Sequence, residues 1–232
     1  AWGVWRAGTL ELRDAGRLAV VQPNIPEHIK LDRALVFDST FASLDRLMSQ
    51  VQPSSADVVI LPEVLLPLYP MAPDPPGYLE RIQRYSREVG APLIFGGLGF
   101  RQDHSGQTAV FNSAFMMEPR GLASYQYDKR FLVPMVERIP FLPSSWLTGL
   151  QYFGAYGVGQ GWPLAVVDET AFGVLICYES TYAEGARSLR LAGADVLLNI
   201  TNDAWYGREP FYARTTALWQ HPAHMVMRAI EN

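Results

Sequence analysis

The chain has 232 residues, 49% of them hydrophobic and 18% charged, with a formal net charge of -4. Such a chain can bury a full core, and no break in composition divides it, so one domain is expected. Scattered basic residues exclude a nucleic-acid footprint, no run reaches the roughly 18 apolar residues of a membrane span, no signal-peptide pattern opens the chain, and a lone cysteine excludes an internal disulfide.

Short apolar runs at 18–22, 57–61, 92–95, 108–111 continuing through 114–117, 163–167, 173–177 and 195–200 are bounded by Gly, Pro, Asn or Asp. They predict buried strands. Leu44, Leu47, Met48 and Val51 recur at helical spacing, and Leu79, Ile82 and Val89 mark a second amphipathic stretch closed by Gly90. Strands alternating with helices, plus a hairpin-like stretch over 92–127, indicate an α/β layered fold with mixed sheets. The glycine clusters at 96–99 and 157–161 lack the strand-then-helix context of a phosphate loop and read as turns.

Residues 139–167 form a run of 29 without Asp, Glu, Lys or Arg, and its first part is too rich in Gly and Pro for a helix. A long apolar loop of this kind suits either a lid over an apolar substrate or a cover for the core. Further on, His221 and His224 are three apart, but Pro222 is expected to open a helix and leave His221 outside it, which argues against a shared metal site.

Polar residues end several of these strands. Glu63 follows 57–61, Lys129 follows the strand-like 123–128, and Cys177 ends 173–177 directly before Tyr178-Glu179-Ser180. Each has a plain reading: an acid or lysine on a solvated surface, a cysteine as a small buried hydrophobe. Together they make a chemical set. A thiol needs a base, a carboxylate in an apolar pocket can serve, and an ammonium can stabilise an oxyanion on an attacked carbonyl.

Leu61-Pro-Glu63, Tyr127-Asp-Lys129 and Ile176-Cys-Tyr-Glu179 resemble, in order, the Glu, Lys and Cys blocks of the nitrilase or carbon–nitrogen hydrolase superfamily. The flanking stretches 20–26, 129–140, 201–207 and 220–232 are similar to the apolipoprotein N-acyltransferases within it. The resemblance runs from about residue 18 to the last residue. It implies a nitrilase-like four-layer α-β-β-α sandwich with two mixed sheets over 18–232, preceded by a lead-in at 1–17 that is a candidate tail of a membrane span.

The resemblance also implies a function. Such enzymes sit in the bacterial inner membrane with the catalytic domain on the periplasmic side. They take an acyl chain from a phospholipid, hold it as a cysteine thioester, and pass it to the α-amino group of a diacylglyceryl-modified apolipoprotein, without metal or cofactor. Carried onto this chain, Cys177 is the nucleophile, Glu63 the base, and Lys129 with the backbone N–H near Tyr178 the oxyanion site. Glu137 is expected to orient Lys129, and Glu179 and Trp205 match positions lining the site. Phe141, Leu142, Trp146 and Leu147 are candidates for the acyl path.

Three departures accompany the match. Leu61 stands where the family commonly has Trp, the stretch 208–219 is longer than expected, and the chain stops at Asn232 before the family's closing strands, so part of a longer protein is expected. Two other functions are compatible with the residues. One is a soluble nitrilase-type amidohydrolase that gives the thioester to water, and the other is a non-catalytic lipid- or peptide-binding fragment. The apolar loop and the 201–207 block favour the acyltransferase, and turnover separates both enzymes from the binding fragment.

Overall fold

The computed structural model describes residues 2–11, 14–30, 32, 35–67, 69–70, 77–102, 108–139, 156–206 and 216–232. The acyl-path candidates Phe141, Leu142, Trp146 and Leu147, and most of the 208–219 stretch, lie outside them. Two sheets carry the fold. The first has the order β1 (Leu18–Val20), β2 (Val58–Ile60), β3 (Leu93–Gln102), β4 (Thr108–Glu118), β5 (Gly121–Asp128), and the second β6 (Leu164–Val167), β7 (Thr170–Ile176), β8 (Val196–Ile200). In the first, β1, β2 and β3 are parallel and β3, β4 and β5 antiparallel; in the second, β6 is antiparallel and β8 parallel to β7. Both sheets are therefore mixed.

Alternation along the strands builds three cores for four layers. Val59, Leu61, Leu93 and Phe95 point to α3 (Val36–Met48) and α4 (Tyr78–Val89), where they meet Phe41, Leu44, Ile82 and Tyr85. Their neighbours Val58, Ile60 and Ile94 point the other way and pack with Phe172, Val174 and Ile176 of β7. Leu175, on the outer face of β7, packs with Ala186 and Leu189 of α5 (Ala183–Leu191). The period of two thus sorts one apolar run between two cores. Gly90 ends α4 with a left-handed φ of 76° and donates its N–H to the Ser86 carbonyl at 2.9 Å.

The lead-in forms α1 (Trp2–Thr9), which lies against α6 (Ala217–Glu231) and leaves Trp2 and Trp5 exposed. Among the described residues no helix is long and apolar enough to cross a membrane. A short helix, α2, spans Glu27–Lys30.

Two local expectations fail. Residues 96–99 are not a turn but lie inside β3, where Gly96 lets the strand pass beneath the loop after β2. A Cβ at Gly96 would stand 2.6 Å from Glu63 Cα and collide with the Val64 nitrogen, both backbone atoms that cannot swing aside. Gly96→Ala is therefore expected to destabilise the fold by about 1–3 kcal/mol, measured by urea denaturation; an unchanged midpoint would show that this loop yields. The second failure is α6, which starts at Ala217 and contains Pro222. The ring removes the N–H that would bond the Leu218 carbonyl, one helical bond that the remaining turns and the buried His221 outweigh.

Candidate active site

Three strand ends deliver polar side chains to one place. After β2 the chain turns at Pro62, whose carbonyl accepts from the Gly96 N–H at 3.1 Å, and Leu65 donates to the Gly96 carbonyl at 3.0 Å. These bonds stitch the Glu63 loop to β3. Where β5 ends, the Lys129 N–H donates to the Asn112 carbonyl at 2.8 Å and its own carbonyl accepts from Gly159 at 2.9 Å. Gly159 is glycine because a Cβ there would run into the Asp128 carbonyl. In the second sheet, β7 enters a 3-10 turn, Cys177–Thr181, and Cys177 takes a left-handed φ of 52°. A non-glycine residue in that region costs roughly 1–3 kcal/mol and needs surroundings that hold it.

The side chains form one network. Lys129 is fully buried, and its Nζ lies 3.4 Å from Glu63 Oε1 and 2.9 Å from Glu137 Oε1. Asn112 Nδ2 donates to the same two oxygens, at 2.7 Å and 3.0 Å. The second oxygen of Glu63 accepts from the Asn202 N–H at 3.1 Å, and that of Glu137 from the Val133 N–H at 2.8 Å. Burial by itself would lower the Lys129 pKa, but Glu63, Cys177 and Glu137 outweigh it and hold the ammonium above the usual lysine range. Burial pushes the Cys177 thiol up and Glu63 adds to this, while Lys129 and a hydrogen bond with the Thr201 side chain pull it back. The net rise leaves a protonated thiol beside a carboxylate and an ammonium.

Glu179 lies outside the network of Lys129, Glu63 and Glu137. Its carboxylate is fully buried under the turn and accepts from the Ile176 N–H at 2.8 Å, the Arg130 N–H at 2.7 Å, the Phe131 N–H at 3.1 Å and the Tyr127 hydroxyl at 2.8 Å. Burial raises its pKa and these donors pull it back. Because Ile176 precedes Cys177 and Arg130 follows Lys129, one carboxylate ties the cysteine turn of one sheet to the lysine end of the other. Tyr178 is half-buried, with its ring edge-on to Tyr182 at 5.4 Å. Trp205 belongs to the short 3-10 turn Asp203–Tyr206.

The structure thus brings Glu63, Lys129, Glu137 and Cys177 together, with Tyr178 and Glu179 on the adjoining turn. Sequence reasoning missed Asn112, Thr201, Asn202, and the pair Asp203 and His221. For Asn112 a signal exists: an amide in the middle of an apolar strand whose neighbours are all buried needs polar partners. The expected separation of His221 from its helix hid the other pair. His221 sits in α6, 6% exposed, with Nδ1 2.8 Å from Asp203 Oδ1 and Nε2 3.0 Å from the Cys177 carbonyl.

Comparison with known proteins gives the family of the chain. The family described as carbon-nitrogen hydrolase matches residues 17–232. The chain is 32% identical over 219 residues to an apolipoprotein N-acyltransferase of Geobacter metallireducens, covering 93% of this chain and 40% of that one. To one of Brucella suis it is 31% identical, covering 100% of this chain and 43% of the relative. It therefore spans about two fifths of the length of such relatives. A solved NitN amidase from Neterenkonia sp. AN1 superposes with a TM-score of 0.53 at 17% identity, over 80% of this chain and 66% of that one, and shares the fold.

Proposed function

The chain belongs to the carbon–nitrogen hydrolase family, and from that premise we propose that it is the catalytic domain of an apolipoprotein N-acyltransferase. The observation that carries the reading is the junction of Glu63, Lys129 and Cys177 in one buried network built from both sheets. A protonated thiol is a weak nucleophile, so attack on a phospholipid ester requires a base in contact with it. Glu63 takes the thiol proton as sulfur bonds to the ester carbonyl. Lys129 Nζ and the backbone N–H near Tyr178 receive the charge that develops on the carbonyl oxygen. Collapse breaks the ester bond, and Glu63 returns its proton to the departing lysophospholipid oxygen, leaving a thioester on Cys177. The α-amino group of a diacylglyceryl-cysteine then attacks the thioester and gives a proton to Glu63. The thiolate leaves and is reprotonated, and an amide has formed.

Glu137 and Asn112 act on this set from behind. Both bond the Lys129–Glu63 pair and fix its geometry, because each reaches an atom of the pair within 3.0 Å. Each step of this scheme is carried by Cys177, Glu63 and Lys129. The acyl donor is a membrane lipid, and the place of work is the periplasmic side of the bacterial inner membrane.

An acyl chain leaving a bilayer loses about 0.8 kcal/mol for each CH₂ exposed to water, so the reading requires an apolar path to the thiol. The uncharged stretch with Phe141, Leu142, Trp146 and Leu147 is that path in our proposal. Replacing Trp146 and Leu147 with serine in the full-length protein should impair acylation of Cys177 by phosphatidylethanolamine far more than alkylation of Cys177 by iodoacetamide. Equal losses in the two assays, or ammonia released from small amides without acyl transfer, would replace the acyltransferase with an amidohydrolase.

A further inference from the structure

His221 has no part in the proton transfers above, yet it is buried against the reacting residue. Its two ring nitrogens face two acceptors. The Cys177 carbonyl can only accept, so Nε2 must carry a hydrogen. Asp203 Oδ1 already accepts from the Thr201 hydroxyl at 3.0 Å, and a carboxylate likewise only accepts, so Nδ1 must carry one too. A neutral imidazole has a single N–H. The geometry is filled only by the doubly protonated ring.

Both anchors of that ring bear on the thiol. Cys177 holds a left-handed φ, and the carbonyl of that same residue is held by the His221 ring at 3.0 Å. Asp203 is bonded to Thr201, whose side chain meets the Cys177 thiol, and next to Asn202, whose N–H holds Glu63. We propose that His221 is a positioning residue: as an imidazolium it clamps the nucleophile turn to the 201–203 loop and so fixes the thiol against its base. This rests on Cys177 being the nucleophile.

The charged form is favoured by its surroundings. The hydrogen bond to Asp203 raises the ring pKa above the usual 6.5; burial opposes it, and the Cys177 carbonyl and the charges of Asp203 and Glu63 add to the rise. Asp203 in turn lies below the usual carboxylate range, since His221 and Thr201 outweigh its burial. Arg228 is paired with Glu231 on the same helix, which also carries His224; of the elements packed against α6, α1 carries Arg6, α5 carries Glu184, Arg187 and Arg190, and the cysteine turn carries Glu179. A histidine whose pKa rises on folding contributes fully below 6.5 and loses its contribution as pH climbs through the folded value. The clamp therefore opens on the alkaline side.

The test uses the full-length protein with ¹⁵N-labelled histidine and four sequences: wild type, His221→Gln, His221→Phe and Asp203→Asn. NMR of the ring nitrogens should show both protonated in wild type at pH 6 and deprotonation at higher pH than in a free imidazole, and Asp203→Asn should move the titration to lower pH. Alkylation of Cys177 by iodoacetamide should slow about tenfold in His221→Phe, which has the bulk but neither donor. His221→Gln, a donor that does not ionise, should keep most of the rate. The wild-type to His221→Gln rate ratio, in which the titration of the thiol cancels, should fall as the ring loses its proton. A wild-type ring neutral at pH 6, an unmoved titration in Asp203→Asn, a ratio flat with pH, or equal losses in the Gln and Phe variants would overturn the clamp. A protonated ring beside a Cys177 that stays unreactive in every variant would instead remove the nucleophile and with it the positioning role, while leaving the charged His221–Asp203 contact.

Discussion

Full-length protein carrying Cys177→Ala should fold normally and transfer no acyl chain. Removal of one sulfur from a half-buried position costs little apolar area beside three cores, so circular dichroism and the melting curve should match wild type. No second thiol stands among these 232 residues, where Cys177 is the only cysteine. Wild type supplied with phosphatidylethanolamine and no acceptor should accumulate an acyl group on Cys177, visible as an added mass that hydroxylamine removes. An acceptor with a free α-amino group should then discharge it. An acylated Cys177→Ala protein, or wild type that turns over without ever carrying the adduct, would refute the thioester route.

The largest effect on stability is expected at Glu179. Its two oxygens accept from three backbone N–H groups and the Tyr127 hydroxyl. Glu179→Gln keeps the shape but turns one oxygen into an NH₂ that faces donors. Each buried donor left without a partner costs about 1–3 kcal/mol, and at least one is lost here together with a new donor–donor clash, so a loss of roughly 3 kcal/mol or more is expected. Urea unfolding measures it. Tyr127→Phe removes only one of the four donors, so it should cost less than Glu179→Gln. Burial, with the nearby Glu179 charge and hydrogen bond, pushes its hydroxyl above the usual tyrosine range, so it acts as a donor at any working pH. A Glu179→Gln protein as stable as wild type would mean that the carboxylate does not bind the two sheets.

Much of this architecture can be read from residue order because local pattern and final environment agree. The runs around Val58, Ile94 and Val174 are apolar on both faces, and each lies between two cores. Leu44 and Ile82 sit at helical spacing on the buried faces of α3 and α4. Glu63, Lys129 and Cys177 stand out because each ends such a strand. What escaped depends on contacts across long sequence separations. Gly96 looks like a turn residue until the Glu63 backbone is found against it. Pro222 looks like a helix start, and only the packing of α6 over the cysteine turn keeps the helix running through it. Asn112 lies 49 residues from Glu63, and His221 lies 44 from Cys177. No periodicity announces a bond of that span.

The division of the site between the sheets has a mechanical consequence. Base, ammonium and amide stand on one sheet and the sulfur on the other, so the gap across which a proton must pass is the spacing between two slabs. That spacing is set by the apolar filling of Phe172, Val174, Ile94 and Met116. Those side chains are core residues, and in the proposed reaction their bulk is the shim between base and thiol, so that the interior doubles as the adjusting screw of the proposed chemistry.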